Sequence, residues 1–215
     1  GAGNAAGFLA YAGALVSGTE RPAAAAPLLK AGVWQSGAVK GRSCVAIIFY
    51  RALVQSGQTA AILALIDALQ ARGFNPLPIY ISSLKDDISA ATVSHLFSEA
   101  NPALVLNCTG FSVSAPGSEW RGTVLDQGGA PVLQVVLSGT SEEAWLASDQ
   151  GLTTRDLAMN VVLPEVDGRV FSRAISFKAA SEYDADVECN IVAHRARADR
   201  VEFVAQLAAN WVDAR

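Results

Sequence analysis

Cysteine and histidine are scarce in this sequence, and their spacing excludes the common metal and disulfide frameworks. The 215 residues include three cysteines and two histidines. Cys44, Cys108 and Cys189 lie far apart and form no Cys-x-x-Cys pair, so neither a zinc site nor a set of disulfides is expected. We therefore predict no metal ligands in this chain, and reduced thiols in the cytoplasm are the simplest interpretation.

Long apolar runs and clusters of positive charge are also missing. No uninterrupted apolar run reaches the roughly 18 residues that a membrane helix needs, and no basic region followed by an apolar core marks a secretory signal. The chain has 16 basic and 20 acidic residues, for a net charge of −4. Because no dense stripe of Lys and Arg exists, we predict neither a membrane nor a nucleic acid as a partner.

Two familiar catalytic motifs are absent as well. No GxxxxGK[ST] segment occurs, so this chain is not expected to hydrolyse ATP by itself. The segment from Gly110 to Ser114 begins like a nucleophile elbow but lacks the final glycine. A serine hydrolase also needs a histidine, and we interpret His95 and His194 as structural or surface residues.

The composition that remains is that of a packed globular chain. Hydrophobic residues make up 51% and charged residues 17%, which excludes a mainly disordered chain. The length fits one α/β domain, or one domain with a small appendage. We assign residues 1–40 to an N-terminal helical segment and connector, and residues 41–215 to an α/β domain.

Apolar runs alternate with helical patterns along the second segment. The run Cys44–Tyr50 is continuously apolar, which predicts a strand buried on both faces of a parallel sheet. Pro78 moves the start of the second strand toward a sheet edge. The five predicted strands are Cys44–Tyr50, Leu77–Ile81, Ala103–Cys108, Val132–Leu137 and Val170–Phe177.

Helices are predicted between and after these strands. The first spans Thr59–Arg72, and the next is capped by Ser89. Two more open at Thr140 and Thr153, the latter ending at Pro164, and the last begins near Asp199. Strands that alternate with helices predict a doubly wound, mostly parallel five-stranded sheet, flavodoxin- or Rossmann-like, with an N-terminal helical extension.

Polar side chains cluster where these strands end. Ligands of open parallel sheets bind outside the carboxyl ends of the strands, so we expect these side chains to converge: Arg51, Lys85, Thr109, Phe111 and Gln134. Cations, a hydroxyl, an amide and an aromatic ring together suit a ligand with carboxylate or carboxamide arms around an apolar body. The alternative is that the hydroxyls cap helices and that the two cations are solvated or paired.

Two carboxylates lie beside a turn further along the chain. Glu165 and Asp167 fall in the segment Leu163–Arg169, and carboxylates near a pocket can act as general bases or approach a metal. The plainer interpretation is that Asp167 shapes the turn and that Glu165 is solvated.

Ordered blocks of sequence carry a family resemblance between about Val45 and Arg215. They are Ile48–Ala52 (IFYRA), Ser82–Asp86 (SSLKD), Val105–Phe111 (VLNCTGF), Val132–Gly139 (VLQVVLSG) and Leu163–Arg169 (LPEVDGR). In this order they resemble the large, tetrapyrrole-binding subunit of ATP-dependent aerobic cobaltochelatases. The large subunit of magnesium chelatases is a more distant relative with TGF and LPE-x-DG blocks of its own.

The resemblance implies that this chain is a fragment of such a subunit, and inactive when isolated. The family inserts Co²⁺ into hydrogenobyrinic acid a,c-diamide, a corrin-type tetrapyrrole, in aerobic cobalamin biosynthesis. Separate AAA+ ATPase and integrin-like subunits hydrolyse the ATP. The complex uses cobalt, ATP and magnesium, and no cofactor is expected on this fragment.

The resemblance also suggests roles for individual residues. Metal entry displaces two pyrrole protons, and Glu165 is the first candidate to accept them. The substrate-binding candidates, facing the macrocycle and its carboxylates, are Arg51, Lys85, Thr109, Phe111 and Gln134. Three alternatives stay open: a non-catalytic scaffold or docking domain of the same subunit, the same role in a magnesium chelatase large subunit, and an independent small-ligand domain.

Overall fold

A computed structural model of the chain describes residues 2–35, 37, 39–115, 117, 119, 122–186 and 188–214. The strands are β1 (Ala31–Val33), β2 (Cys44–Tyr50), β3 (Asn75–Ile81), β4 (Leu104–Asn107), β5 (Val132–Ser141), β6 (Val170–Asp184) and β7 (Cys189–Ala196). The α-helices are α1 (Ala2–Ser17), α2 (Arg51–Ser56), α3 (Ala60–Ala71), α4 (Asp87–Ala100), α5 (Glu142–Leu146), α6 (Thr154–Leu157), α7 (Leu163–Val166) and α8 (Ala198–Asp213). A 3₁₀ helix covers Val124–Gly129 and a π-helical turn covers Ala158–Val162.

The described strands form one sheet in the order β1-β3-β2-β4-β5-β6-β7. The five strands from β3 to β6 in this order run parallel, and β1 and β7 pair antiparallel at the two edges. The parallel core is the set of five strands predicted from sequence, so the doubly wound fold is confirmed. The sheet as a whole has two more strands than predicted. β1 has only three residues, and β7 is largely exposed, so neither carries a strong apolar pattern.

Both faces of the sheet are buried, as the continuous apolar run of β2 predicts. On one face Ile47 and Phe49 pack with α3 and α8, and on the other Ala46 and Ile48 pack with α4. Each large apolar side chain buried in this way contributes roughly 1.5–3 kcal/mol. The two helical layers therefore hold the carboxyl ends of the central strands in fixed positions.

Pro78 marks the place where β3 changes its neighbours. β1 pairs only with Ile79–Ile81, and the Pro78 carbonyl accepts the N–H of Trp34 just beyond β1, at 2.8 Å. The predicted edge character therefore holds for the first half of β3, while its second half lies between β1 and β2. β1 lies within residues 1–40, the segment assigned to the connector, so that segment contributes a strand to the sheet.

Two helices begin at other residues than predicted. Asp86 caps α4, because its Oδ1 accepts the N–H of Ser89 at 3.0 Å, and Ser89 is buried inside the helix. Ser141, not Thr140, caps α5 by accepting the N–H of Ala144 at 3.1 Å. The capping role of Thr153 on α6 is confirmed.

The predicted stop at Pro164 is wrong. Helical structure runs without a break from α6 through the π-helical turn into α7, and Pro164 lies in the first turn of α7. In the π-helical turn the Leu163 N–H donates to the Ala158 carbonyl, five residues back. This wider turn leads directly into α7, where a proline without N–H is tolerated in the first turn.

The predicted N-terminal helix is confirmed as α1, but its surface is unusual. Phe8, Leu9, Leu15 and Val16 are all more than half exposed, and among the described side chains of this helix only Ala14 is buried. Within the described part of the chain, no helix is both long and apolar enough to cross a membrane.

Candidate functional site

The strand order places a switch point between β2 and β4. Counted within the parallel core, the order is the flavodoxin-like 2-1-3-4-5, in which ligands bind where the connections from adjacent strands diverge. A cleft of about 170 Å³ lies at this place. It is lined by Tyr50, Ser83, Leu84, Lys85, Thr109, Gly110, Phe111, Ser112 and Val113. We call it the switch-point cleft.

One wall of the cleft is a short backbone segment, residues 110–114, which we call the strap. Phe111, its second residue, has φ of 63°, a left-handed conformation that costs a residue with a side chain about 1–2 kcal/mol. Its side chain is 48% exposed. A strained backbone that presents an exposed ring must be held from several sides, and such strain clusters at functional sites.

The strap is held by hydrogen bonds along its length. The Tyr50 hydroxyl donates to the Gly110 carbonyl at 3.1 Å, and the Phe111 N–H donates to the Met159 carbonyl at 2.7 Å. Beyond Phe111, the N–H groups of Val113 and Ser114 donate to the Asp167 carboxylate at 2.7 and 2.9 Å. These contacts fix the conformation of the strap without any ligand.

The π-helical turn explains why the Met159 carbonyl is available to the strap. The Leu163 N–H, its partner in a regular α-helix, donates instead to the Ala158 carbonyl. Pro164, its partner in a continued π-helix, has no N–H to donate. The Met159 carbonyl oxygen therefore has no acceptor role within the helix, and it accepts the Phe111 N–H instead.

A buried ion pair supports the strap from below. Arg169 donates through Nη2 to Asp167 at 2.8 Å and through Nη1 to the Phe111 carbonyl at 3.2 Å. Side-chain exposure is 1% for Arg169 and 0% for Asp167. Burial lowers the pKa of Arg169, and the negative charge of Asp167 opposes that shift. The LPEVDGR block thus supports the strap. The Asp167 carboxylate binds the strap amides, a role that neither sequence interpretation gave to this residue.

Lys85 and Phe111 are the cleft residues that face solvent among the predicted set. Lys85 is exposed, and none of the described residues pairs with its ammonium group. Its own N–H donates to the Ser83 hydroxyl oxygen at 3.1 Å, within the turn that precedes α4. A cation and an aromatic ring therefore border the same opening.

Thr109 lines the cleft, but its hydroxyl is already used. Thr109 Oγ1 donates to Asn107 Oδ1 at 2.8 Å, and Asn107 Nδ2 donates to Gln134 Oε1 at 2.7 Å. Gln134 Nε2 donates to the Thr109 carbonyl at 2.8 Å, and all three residues are buried. The network fixes the end of β4 and leaves Gln134 outside the cleft.

Arg51 and Glu165 also lie away from the cleft lining. Arg51 Nη1 donates to the carbonyls of Leu28 and Leu29, at 3.2 and 3.5 Å, and so holds the N-terminal connector. Glu165 is exposed on α7, two residues before Asp167. The predicted convergence thus holds for Lys85, Thr109 and Phe111, which line one cleft, but not for Arg51 and Gln134. The roles predicted for these five residues and for Glu165 stay predictions.

Tyr50 was not among the binding residues predicted from sequence, and Arg169 was not predicted as a support of the strap. Tyr50 ends the apolar run of β2, and burial raises the pKa of its hydroxyl, which the Gly110 carbonyl and the Arg169 charge partly offset. Its position at a strand end was a usable signal. Arg169 gave no such signal, because only the fold brings it beneath the strap. Among the described residues, no three His, Cys, Asp or Glu side chains form a group that could hold a metal ion.

Fold and cleft together define a doubly wound domain with a small, rigid cleft at its switch point. The model of one protein family, described as CobN/Magnesium Chelatase, matches residues 1–215. The chain therefore belongs to the CobN/magnesium chelatase family, as the ordered sequence blocks indicated.

Relatives in this family are much longer than this chain. It is 54% identical to the aerobic cobaltochelatase subunit CobN of a Sinorhizobium species, over 100% of this chain and 18% of that protein. It is 40% identical to the protein of the same name from Pseudomonas aeruginosa, over 84% of this chain and 14% of that protein. The solved catalytic subunit of cobaltochelatase from Mycobacterium tuberculosis is similar with a TM-score of 0.72 and 26% identity, over 92% of this chain and 16% of that one. The chain thus spans less than a fifth of the length of these relatives.

Proposed function

We propose that this chain forms part of the substrate site of a cobaltochelatase large subunit, which inserts Co²⁺ into hydrogenobyrinic acid a,c-diamide. The observation that carries the proposal is the rigid strap, which presents Phe111 beside Lys85 at the switch point of the sheet. The relatives' names support the choice of reaction, since two curated relatives are named as aerobic cobaltochelatase subunits.

The size of the switch-point cleft limits what it holds. At about 170 Å³ it is smaller than the roughly 300–1,000 Å³ of small-molecule sites. A whole tetrapyrrole does not fit, but one carboxylate or amide arm does. We infer that an arm enters the cleft toward Lys85 while the Phe111 ring lies against the apolar macrocycle. The remaining surface of the macrocycle then contacts other parts of the large subunit.

A proton acceptor is also needed, because cobalt replaces two pyrrole protons. Glu165 remains our candidate. Its carboxylate is exposed, and Asp167, two residues further on, holds the strap, so Glu165 belongs to the turn that supports the strap. Geometry alone does not bring Glu165 into the cleft, so this role depends on how the macrocycle extends beyond it.

The energy for insertion is proposed to come from partner subunits. We infer an AAA+ ATPase and an integrin-like subunit that use ATP and magnesium, with cobalt as the inserted metal and no cofactor resident on this chain. The cytoplasm is the proposed compartment, in keeping with the free thiols of Cys44, Cys108 and Cys189.

A scaffold or docking role is the second candidate. The observation that favours it is α1, whose apolar side chains Phe8, Leu9, Leu15 and Val16 are exposed, because such a surface is typical of a contact with another domain. In that case the cleft would support a site elsewhere in a cobaltochelatase or magnesium chelatase large subunit.

Acetylation of lysines in the full-length subunit tests the proposal without any mutation. Lys85 is exposed, so an amine-reactive acetylating reagent modifies it in the free protein. We expect saturating hydrogenobyrinic acid a,c-diamide to slow that reaction at least fivefold, as followed by mass spectrometry. Lys40, exposed in the connector, is the internal control and keeps its rate.

The outcomes separate the two candidates. Protection of Lys85 by the corrin, but not by protoporphyrin, supports a substrate site of the cobalt type. Equal modification of Lys85 in free and corrin-saturated subunit overturns the proposal and favours the scaffold role. Protection by protoporphyrin alone assigns the site to a magnesium chelatase.

A further inference from the structure

A second cleft lies toward the same edge of the sheet, along the last residues of β5 and beside Lys178 of β6. Its volume is about 320 Å³, nearly twice that of the switch-point cleft. It is lined by Leu137, Gly139, Thr140, Thr153, Arg155, Asp156, Met159, Asn160 and Lys178. We call it the β5 cleft.

Asp156 forms the floor of the β5 cleft, and its carboxylate oxygens are already occupied by hydrogen bonds from neighbouring residues. Its carboxylate accepts hydrogen bonds from Ser138 Oγ at 2.6 Å, Thr140 Oγ1 at 3.0 Å and the Gly139 N–H at 3.2 Å. Asn160 Nδ2 adds a fourth donor at 3.4 Å. Since this buried charge is matched by its neighbours, it organises the wall and does not call for an external cation.

The rim of the β5 cleft carries positive charge instead. Arg155 and Lys178 both line it and are exposed, and within the described ranges neither side chain forms an ion pair or hydrogen bond. Because the Asp156 carboxylate in the floor is already hydrogen-bonded, Arg155 and Lys178 are left to bind a ligand. Their two positive charges suit an anionic group. A carboxylate is the simplest group of that kind.

The two clefts share a wall. The strap contacts the π-helical turn through the Phe111 N–H and Met159 carbonyl, at 2.7 Å. Gly110 lies so close to the turn that an added Cβ would stand 2.9 Å from Asn160 Oδ1 and 3.1 Å from the Met159 carbonyl. The turn faces the β5 cleft through Met159 and Asn160, so the backbone of Phe111 joins the walls of the two clefts.

We propose that the β5 cleft binds a second carboxylate arm of the ligand whose first arm enters the switch-point cleft, with Arg155 and Lys178 as its partners. The inference rests on the proposed function. It adds that Arg155 and Lys178 make the subunit prefer a macrocycle with free carboxylates over one whose arms are all amides. Phe111, whose backbone joins the walls of the two clefts, then contacts the ring from which both arms project.

Titrations of the full-length subunit with two corrins test this inference. The ligands are hydrogenobyrinic acid a,c-diamide and a corrin of the same ring with every carboxyl group amidated. The variant carries Arg155→Met and Lys178→Met, which keep the length of the stems but remove both charges. The control is Lys40→Met, an exposed charge on the connector.

We expect the double variant to bind the carboxylate corrin about tenfold more weakly and the amidated corrin as well as the wild type does. Unchanged affinity for the carboxylate corrin overturns the inference, and an equal loss for both corrins overturns the assignment to carboxylate recognition. Failure of the proposed function has a different signature, in which the corrin leaves Lys85 unprotected in the wild-type subunit.

Discussion

The Phe111 N–H donates to the Met159 carbonyl across 2.7 Å, and Pro164 has no N–H that could compete for the same oxygen. A substitution at Pro164 therefore tests the origin of the strap's rigidity. Pro164→Ala restores an N–H that can reach Met159, while alanine is a better helix former than proline.

We expect Pro164→Ala to leave the melting temperature unchanged or higher, yet to speed hydrogen exchange of the strap amides at least tenfold. Exchange measured by mass spectrometry on a peptide covering residues 110–114 provides the check. Unchanged exchange there would show that the Met159 carbonyl holds Phe111 in either case.

The buried pair of Asp167 and Arg169 makes a second prediction. Asp167→Asn keeps the shape of the side chain but leaves the Arg169 charge unpaired in a buried position, which typically costs about 3–5 kcal/mol. The matched control is Glu165→Gln, an exposed residue two positions earlier, with an expected effect within about 0.5 kcal/mol. Urea unfolding of both variants measures the difference, and equal stability would contradict the role given to the pair.

His194 gives a pH dependence whose sign follows from its surroundings. Burial lowers its pKa, Lys178 adds to that shift, and Asp156 opposes it; its Nδ1 lies 3.3 Å from Ser176 Oγ. The folded state therefore takes up the proton at lower pH than the unfolded state, whose histidine titrates near 6.5. Because the unfolded state binds more protons in that window, stability is full above pH of about 6.5 and falls as the pH drops below it.

The substitution His194→Gln is expected to flatten this part of the stability profile. Denaturant unfolding between pH of about 5 and 7.5 measures the slope for both proteins. His95, exposed on α4, is the control position, and His95→Gln should keep the wild-type slope. A wild-type profile that rises as the pH falls through this range would contradict the assignment.

Glu165 can be tested as the proton acceptor because, among the described residues, its side chain forms no hydrogen bond or ion pair that a substitution would break. In the full-length subunit with its partners, Glu165→Gln should lower the rate of cobalt insertion about a hundredfold, the usual scale for a lost general base. Corrin affinity and melting temperature should not change. Glu143→Gln, an exposed carboxylate on α5, is the control. Wild-type insertion by Glu165→Gln would remove this residue from the mechanism.

The parallel core was predicted well from sequence because strands buried on both faces of the sheet are continuously apolar. The continuous apolar run of β2 and the helical face of α3 needed only local periodicity to be recognised. β1 and β7 have no comparable apolar pattern, because the short β1 and the exposed β7 are stabilised mainly by pairing with their neighbours in the sheet. The Pro164 prediction failed because the π-helical turn depends on contacts that single-residue preferences do not contain.

The candidate site was predictable only in part. Strand ends correctly indicated Lys85, Thr109 and Phe111, because the topology of parallel sheets brings such positions together. Sequence patterns do not tell a charged residue that faces a cleft from one that holds a neighbouring chain segment. Arg51 holds the N-terminal connector through the Leu28 carbonyl, and its predicted binding role stays a prediction. The orientation of Gln134 into a buried amide network could not be predicted from sequence either.

The most direct test of the central claim removes the Phe111 ring while keeping the strap. Phe111→Gly suits this purpose because glycine adopts the observed φ of 63° without strain. The measurement is the dissociation constant of the full-length subunit for hydrogenobyrinic acid a,c-diamide, followed by corrin absorbance. Phe203→Ala, a half-exposed phenylalanine on α8, is the control. We predict a loss of affinity of at least tenfold, about 1.4 kcal/mol, for Phe111→Gly alone. Wild-type affinity in a folded Phe111→Gly subunit would contradict the claim that this domain contacts the macrocycle.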